Sequence, residues 1–415
     1  MGAIVAAPIQ ALGSCLGSCE GTFLAAVCCQ LAGAGQLASF QGARAALVGL
    51  QAFSASLAVA AAATPAFWLP WFCDKLQVMG QGGLGICECA GSEACWADQL
   101  VYRVEAAGVM VFLFLLLMAA SGCVQGAVFK NTVGKFMAML FIPLALLAVP
   151  NTVLRAYGEV ATASSAAFLV MQAVPLIDFG YSWSETWFRK AEDARRAAER
   201  RGDFQSFPWW KAGILAAAAA LFIGSIAASV YMFIASPEVG ARSVTTAAWG
   251  VAAALTVVGI TCVDDGPLLT SCVVMAYAAW LTWEALATLP SGGGPRLPPW
   301  AAVTTCLASL LWFSRGTTRA ALPAGQEPLI IAALPGPAPP PGSADAATFG
   351  VQGSKEFVVQ CAMHAAAGIY ITAALAPRAS ALAYGLRVAA VFLSLALYCW
   401  VLVAPHVFPN RTFGG

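Results

Sequence analysis

The chain has 415 residues, of which 60% are hydrophobic and only 10% charged, with a formal net charge of +1. Soluble globular chains carry about 25% charged residues, so this composition excludes one and identifies a membrane protein. The 21 Lys and Arg are scattered in short groups, which leaves no basic face for nucleic acid.

Residues 1–42 hold Cys15, Cys19, Cys28 and Cys29 and have no Lys or Arg ahead of their apolar stretches. No cleavable signal peptide is expected there, and the first span directs insertion. These four thiols are read as packed and reduced on the cytoplasmic side, with palmitoylation as the alternative. Ten apolar stretches then approach the length of about 20 residues that a helix needs to cross the hydrocarbon core. They lie near 43–68, 100–124, 133–150, 157–182, 209–235, 242–262, 267–289, 300–315, 356–376 and 383–404. The eighth, WAAVTTCLASLLWFSR, is short and follows the breaker SGGGPRLPP. Barrel-type alternation is absent, and Ala and Leu favour helix. The expected fold class is all-α, a polytopic transmembrane helix bundle of about ten spans in a single membrane domain over 1–415.

Between the first two spans, Cys73, Cys87, Cys89 and Cys95 share a connection made acidic by Asp74, Glu88, Glu93 and Asp98. Lys and Arg gather instead after the second, fourth and eighth spans, from Lys130 through Arg195 and Arg196 to Arg319, and at Arg411. That bias places those connections and both termini in the cytoplasm and the cysteine-bearing connection on the opposite side. Four thiols in an oxidising space predict disulfides, with a zinc site as the rival reading. The six remaining cysteines are single apolar fillers within spans.

Past Leu176 the fourth stretch continues as LIDFGYSWSETWFRKAEDARRAAERR. A helix from Tyr157 to Arg201 would be about 67 Å long at about 1.5 Å per residue, twice the hydrocarbon thickness. On it Asp178, Ser182 and Glu185 recur at helical spacing as one polar stripe, beside an aromatic stripe of Phe179, Trp183 and Trp187. The stripe reads equally as a path for polar head groups or as scaffold tying two halves of the bundle together. Trp183 and Trp187 suit a membrane interface.

Other charged residues within spans are Arg103, Glu105, Lys135, Glu159, Glu284 and Arg387. Snorkelling to an interface accounts for Arg103, Lys135 and Arg387, whereas Glu284 beside Trp283 reads as a buried carboxylate. His364, mid-span, reads as a packed, hydrogen-bonded residue. VDDGPLL at 263–269 reads as a tight turn rather than a metal–phosphate site. Residues 316–355, rich in Pro, Gly and Ala, read as a flexible cytoplasmic loop. With two histidines in the chain and no Gly-rich phosphate loop, neither an enzyme nor ATP coupling is expected, and no metal or cofactor is assigned.

LIDFGYSWSETWFRKAE resembles the L-I-D-F-x-x-S-W-N-E-S-W run of the serine incorporator family. LVYRV in the second span, WLTWEAL in the seventh, YCWVLVAP in the tenth and the closing NRTF follow the family's order, so the resemblance runs along the whole chain. Ser184 stands where the family has Asn, and Glu284 where it commonly has Ser. The resemblance implies ten spans in two subdomains crossed by one long diagonal helix. It also implies ATP-independent lipid scrambling or lipid handling, with a link to serine incorporation into phosphatidylserine and sphingolipids. Partners would be membrane lipids, phosphatidylserine and other phospholipids among them, and a homo-oligomer is left open. The membrane would be the plasma membrane or an endomembrane of the endoplasmic reticulum or Golgi. The alternative is an ion-coupled or facilitative transporter of a small solute such as serine.

Overall fold

The computed structural model describes residues 40–63, 71, 73–74, 85–89, 93–120, 132–201, 209–236, 238–262, 268–291, 294–295, 298–319 and 344–407. Cys15, Cys19, Cys28 and Cys29, the Asp264–Asp265 turn and residues 320–343 of the expected loop lie outside them. Among the described residues there are ten helices of fifteen residues or more and no strand. They are α1 (Phe40–Ala63), α2 (Glu93–Ala120), α3 (Thr132–Leu146), α4 (Asn151–Arg201), α5 (Trp209–Ala235), α6 (Val239–Cys262), α7 (Leu268–Leu286), α8 (Pro299–Arg319), α9 (Ala344–Leu375) and α10 (Ala381–Val407). Eight are long and apolar enough to cross a membrane, and α3 and α8 carry the shorter apolar segments Val133–Leu146 and Trp300–Ser314. In lipid a backbone must satisfy its own hydrogen bonds, and helices do so within one segment.

Two helix starts differ from expectation. The long helix begins at Asn151 rather than Tyr157 and runs 51 residues, about 77 Å at about 1.5 Å per residue. Pro150 supplies the start, accepting the Val153 amide. α9 begins at Ala344, inside the stretch expected to be flexible. Ala344, Ala346 and Ala347 are strong helix formers by propensity.

The chain forms two compact units, residues 1–154 with 313–368 and residues 155–312 with 369–415. In the first, α1, α2 and α3 pack on one another around Leu47, Leu50, Phe112, Leu115, Met139 and Phe357. After α1, Cys73 is bonded to Cys87 and Cys89 to Cys95. With the four sulfurs joined in pairs, the zinc reading is set aside. Cys73 and Cys89 pack with Ile86, Trp96 and Leu100 in a small core of their own.

In the second unit α7 is enclosed along almost its whole length, and α5, α6 and α10 pack against it. Its Ser, Ala and Thr residues let neighbouring backbones come close, the usual basis of helix association in lipid. A methyl group on Gly259 of α6 would lie 3.1 Å from Ser271 Oγ of α7, and that serine is hydrogen-bonded to the Tyr398 hydroxyl of α10 at 2.7 Å. α5 is the opposite case, with four buried residues and an outer face of Leu215, Ile223, Val230 and Ile234. The described free cysteines, Cys272, Cys306, Cys361 and Cys399, are buried or half-buried fillers.

Candidate functional site

The polar stripe lies on the outer face of α4, in the second unit. Met171 and Val174 are exposed apolar residues, and the same face continues one turn later with Asp178, half-exposed Ser182 and exposed Glu185. An apolar surface suited to acyl chains therefore passes directly into one bearing two carboxylates. Asp178 Oδ2 accepts a hydrogen bond from Trp312 Nε1 at 3.0 Å, and Glu185 pairs with Arg189 at 2.7 Å. Both pairs are internal to the second unit and remain open to the surroundings.

The aromatic residues form a chain of ring contacts, edge-on except for the tilted Phe179–Trp183 pair. Phe179 meets Trp312 at 4.8 Å and Trp183 at 5.3 Å, Trp183 meets Trp187 at 5.7 Å, and Trp187 meets Trp210 of α5 at 5.8 Å. Lys190 sits 4.7 Å above the Trp210 ring, a cation–π contact. Trp183 and Trp187 pack on Ile214, Ala218, Leu269 and Cys272, so they anchor α4 to α5 and α7. Two glycines permit this approach. A Cβ on Gly213 would lie 2.6 Å from the Trp187 ring, and one on Gly180 would lie 3.0 to 3.2 Å from Thr270.

Deeper in the same unit Glu284 and Arg387 form a pair that sequence reasoning divided. Arg387 is 1% exposed, so it does not snorkel. It donates through Nη1 to the Glu284 backbone carbonyl at 2.8 Å and to Oε2 at 3.1 Å, and through Nη2 to Ser165 Oγ at 3.3 Å. The Tyr370 hydroxyl donates to Glu284 Oε1 at 3.2 Å. A charge in hydrocarbon is tolerated when paired and hydrogen-bonded, and this carboxylate has two donors, Arg387 on one oxygen and Tyr370 on the other.

Arg103 corrects the snorkelling reading in the first unit. It too is 1% exposed, and it donates to Gln99, to the Leu146 and Val149 carbonyls and to Asn151 Oδ1. The last turn of α3 tightens through i to i+3 bonds at Leu147, Ala148 and Val149, and Arg103 adds a second hydrogen bond to the Leu146 carbonyl, which already accepts the Val149 amide, besides reaching the Val149 carbonyl. Lys135 is likewise buried, at 6% exposure. His364 is packed as expected, stacked on Phe112 at 5.1 Å, but neither of its ring nitrogens has a hydrogen-bond partner. Among the described residues no cluster of three or more His, Cys, Asp or Glu is placed to hold a metal.

Together these features define a multi-pass helical membrane protein with a charged pair sealed inside its second unit and an open polar stripe on one long helix. Its sequence matches the family model described as Serine incorporator (Serinc) over residues 17–307. The chain belongs to the serine incorporator family. Similar curated proteins are serine incorporator 2 of Bos taurus, 28% identical over 54% of this chain and 49% of that protein, and serine incorporator 2 of Homo sapiens, 23% identical over 55% and 51%. The Mus musculus protein of the same name is 24% identical over 55% of this chain and 52% of its own. The chain thus spans about half the length of the curated relatives it matches.

Proposed function

We propose that the protein moves phospholipids passively between leaflets along the outer face of α4, the head group passing over Asp178, Ser182 and Glu185 while the acyl chains stay in the bilayer. The observation that carries this reading is the continuity of the stripe with Met171 and Val174, an apolar face leading without a break into a polar one. Exposed carboxylates one or two turns beyond lipid-facing residues can exchange hydrogen bonds with a zwitterionic or serine-bearing head group, and this exchange consumes no nucleotide. The lipids would include phosphatidylserine, consistent with the name the relatives carry. Under this proposal the α4–α5 connection faces the cytoplasm, and the disulfide-bearing connection faces the lumen or the exterior.

The test is reconstitution of the full chain into vesicles with leaflet-labelled fluorescent phospholipid, followed by quenching from outside. Wild-type protein should raise the quenched fraction beyond the outer leaflet without ATP. Asp178→Asn keeps an acceptor for Trp312 and Glu185→Gln keeps the side-chain size, so the double variant should stay folded and lose most of the lipid movement. Unchanged movement in a folded double variant would remove the stripe from the mechanism. Serine-gradient-driven uptake without lipid movement would replace the proposal with a solute transporter.

A further inference from the structure

The first unit holds a second enclosed polar cluster that the lipid stripe does not use. Glu105 of α2 is 0% exposed and Gln51 of α1 is 1% exposed. Glu105 Oε1 accepts a hydrogen bond from Ser54 Oγ at 3.3 Å, whereas Glu105 Oε2 and Gln51 Oε1 have no hydrogen-bond partner. The two side chains converge at Gly368 of α9, where a Cβ would lie 3.4 Å from Glu105 Oε2 and 3.8 Å from Gln51 Nε2. Gly108 holds Ser54 close in the same way, since a Cβ there would lie 2.9 Å from Ser54 Oγ. Rotation of the Gln51 amide about its last bond turns either its oxygen or its nitrogen toward Gly368.

A carboxylate and an amide thus approach one glycine inside a membrane-spanning bundle, and a hydroxyl beside a second glycine is hydrogen-bonded to the same carboxylate. The guanidinium nearest in sequence is engaged elsewhere, because Arg103 is spent on Gln99, Asn151 and the end of α3. Hard oxygen donors suit alkali and alkaline-earth cations rather than soft metals. One carboxylate balances one positive charge, and among the described residues no set of three acidic, His or Cys side chains gathers to hold a divalent ion.

We propose that Glu105, Gln51 and Ser54 form a binding site for a monovalent alkali cation, which neutralises the carboxylate inside the first unit. The site shares no residue with the α4 stripe, so it stands or falls independently of lipid movement. A ligand bound only by the folded state raises its stability in proportion to occupancy.

The test is thermal unfolding of the purified full chain in detergent at fixed pH and ionic strength, with sodium replacing N-methyl-D-glucamine. Wild type should show a saturable rise in melting temperature, and Glu105→Gln should lose it while melting normally without sodium. Ser54→Ala should raise the half-saturating sodium concentration about tenfold, the effect of losing one polar contact to a charged group. Should Glu105→Gln not purify in folded form, radioactive sodium binding to wild type, displaced by unlabelled sodium and weakened in Ser54→Ala, decides the matter. A wild type without saturable sodium binding overturns the site, as does an undiminished effect in Glu105→Gln. An infrared carboxylic-acid band present in wild type and absent in Glu105→Gln, with no response to sodium, would assign a proton instead and also overturn it.

Discussion

Gly180 stands where α4 meets α7, and a methyl group there would lie 3.1 Å from the Thr270 Cα. Backbone cannot yield as a flexible side chain does, so Gly180→Ala should lower the melting temperature. Gly224→Ala on α5, with nothing within 4 Å, should leave it level or raise it, since alanine is the better helix former by about 1 kcal/mol. Differential scanning of the two purified variants makes the comparison; equal melting would show that the crossing has slack. The Glu284–Arg387 pair, with both side chains nearly inaccessible, gives a sharper expectation. Glu284→Gln or Arg387→Met alone strands a buried partner and should destabilise by about 3–5 kcal/mol, whereas the double variant should recover much of the loss. Additive losses in a double-mutant unfolding cycle would contradict the pairing. This pair also marks a boundary of sequence reading. Both charges were visible inside apolar spans, but they lie 103 positions apart, and only the packing of α7 against α10 brings them together. The stripe of Asp178, Ser182 and Glu185 was legible because its spacing repeats within one helix; the partner Trp312, 134 positions away from Asp178, was not.

Among the elements, α4 changes character along its length. Its first half mixes buried and exposed residues, the exposed ones including Val153, Val160, Met171 and Val174. Beyond Trp187 it becomes a charged rod in which Arg195 pairs with Glu192 at 2.7 Å and with Glu199 at 2.9 Å. Such i, i+3 and i, i+4 pairs keep a helix formed after its apolar contacts end. The continuity of this helix was readable from composition, but Asn151–Ala156 were not assigned to it, because Asn, Thr and Arg interrupt the apolar pattern there. α9 was missed at its beginning for a related reason, since a run of alanine carries strong helix propensity but no hydrophobic pattern. The two disulfides belong to this scale as well. Their existence followed from four cysteines in one acidic connection, but spacing left the pairing open, and the bonds link Cys73 with Cys87 and Cys89 with Cys95. The loops they close, with sequence separations of 14 and 6, imply chain-entropy contributions of about 3 and about 2 kcal/mol. Replacing both cysteines of the Cys73–Cys87 bond by alanine should therefore lower stability more than replacing those of the Cys89–Cys95 bond, in unfolding curves without reductant. The reverse order would mean that local packing around Cys89 outweighs loop length.

At the scale of the whole molecule, the count of hydrophobic stretches translated directly into helices because lipid admits so few backbone solutions. The proposed orientation makes a concrete expectation. An epitope placed within residues 202–208 should react with antibody only after permeabilisation, and one placed within 75–84 should react from outside on cells that display the protein at their surface. The opposite pattern would reverse the assignment. Arg103 carries a consequence for how the chain is made. Its partners at Leu146, Val149 and Asn151 lie 43 to 48 residues further along, so α2 leaves the ribosome before most of the groups that accept its hydrogen bonds exist. An arginine inside a lone apolar helix opposes insertion by about 2.5–3.5 kcal/mol. We therefore expect α2 to stay beside the insertion machinery until α3 and the first turn of α4 arrive, the three entering the bilayer together. Nascent chains stalled short of Leu146 should remain extractable from membranes by alkali, and chains extended past Asn151 should not.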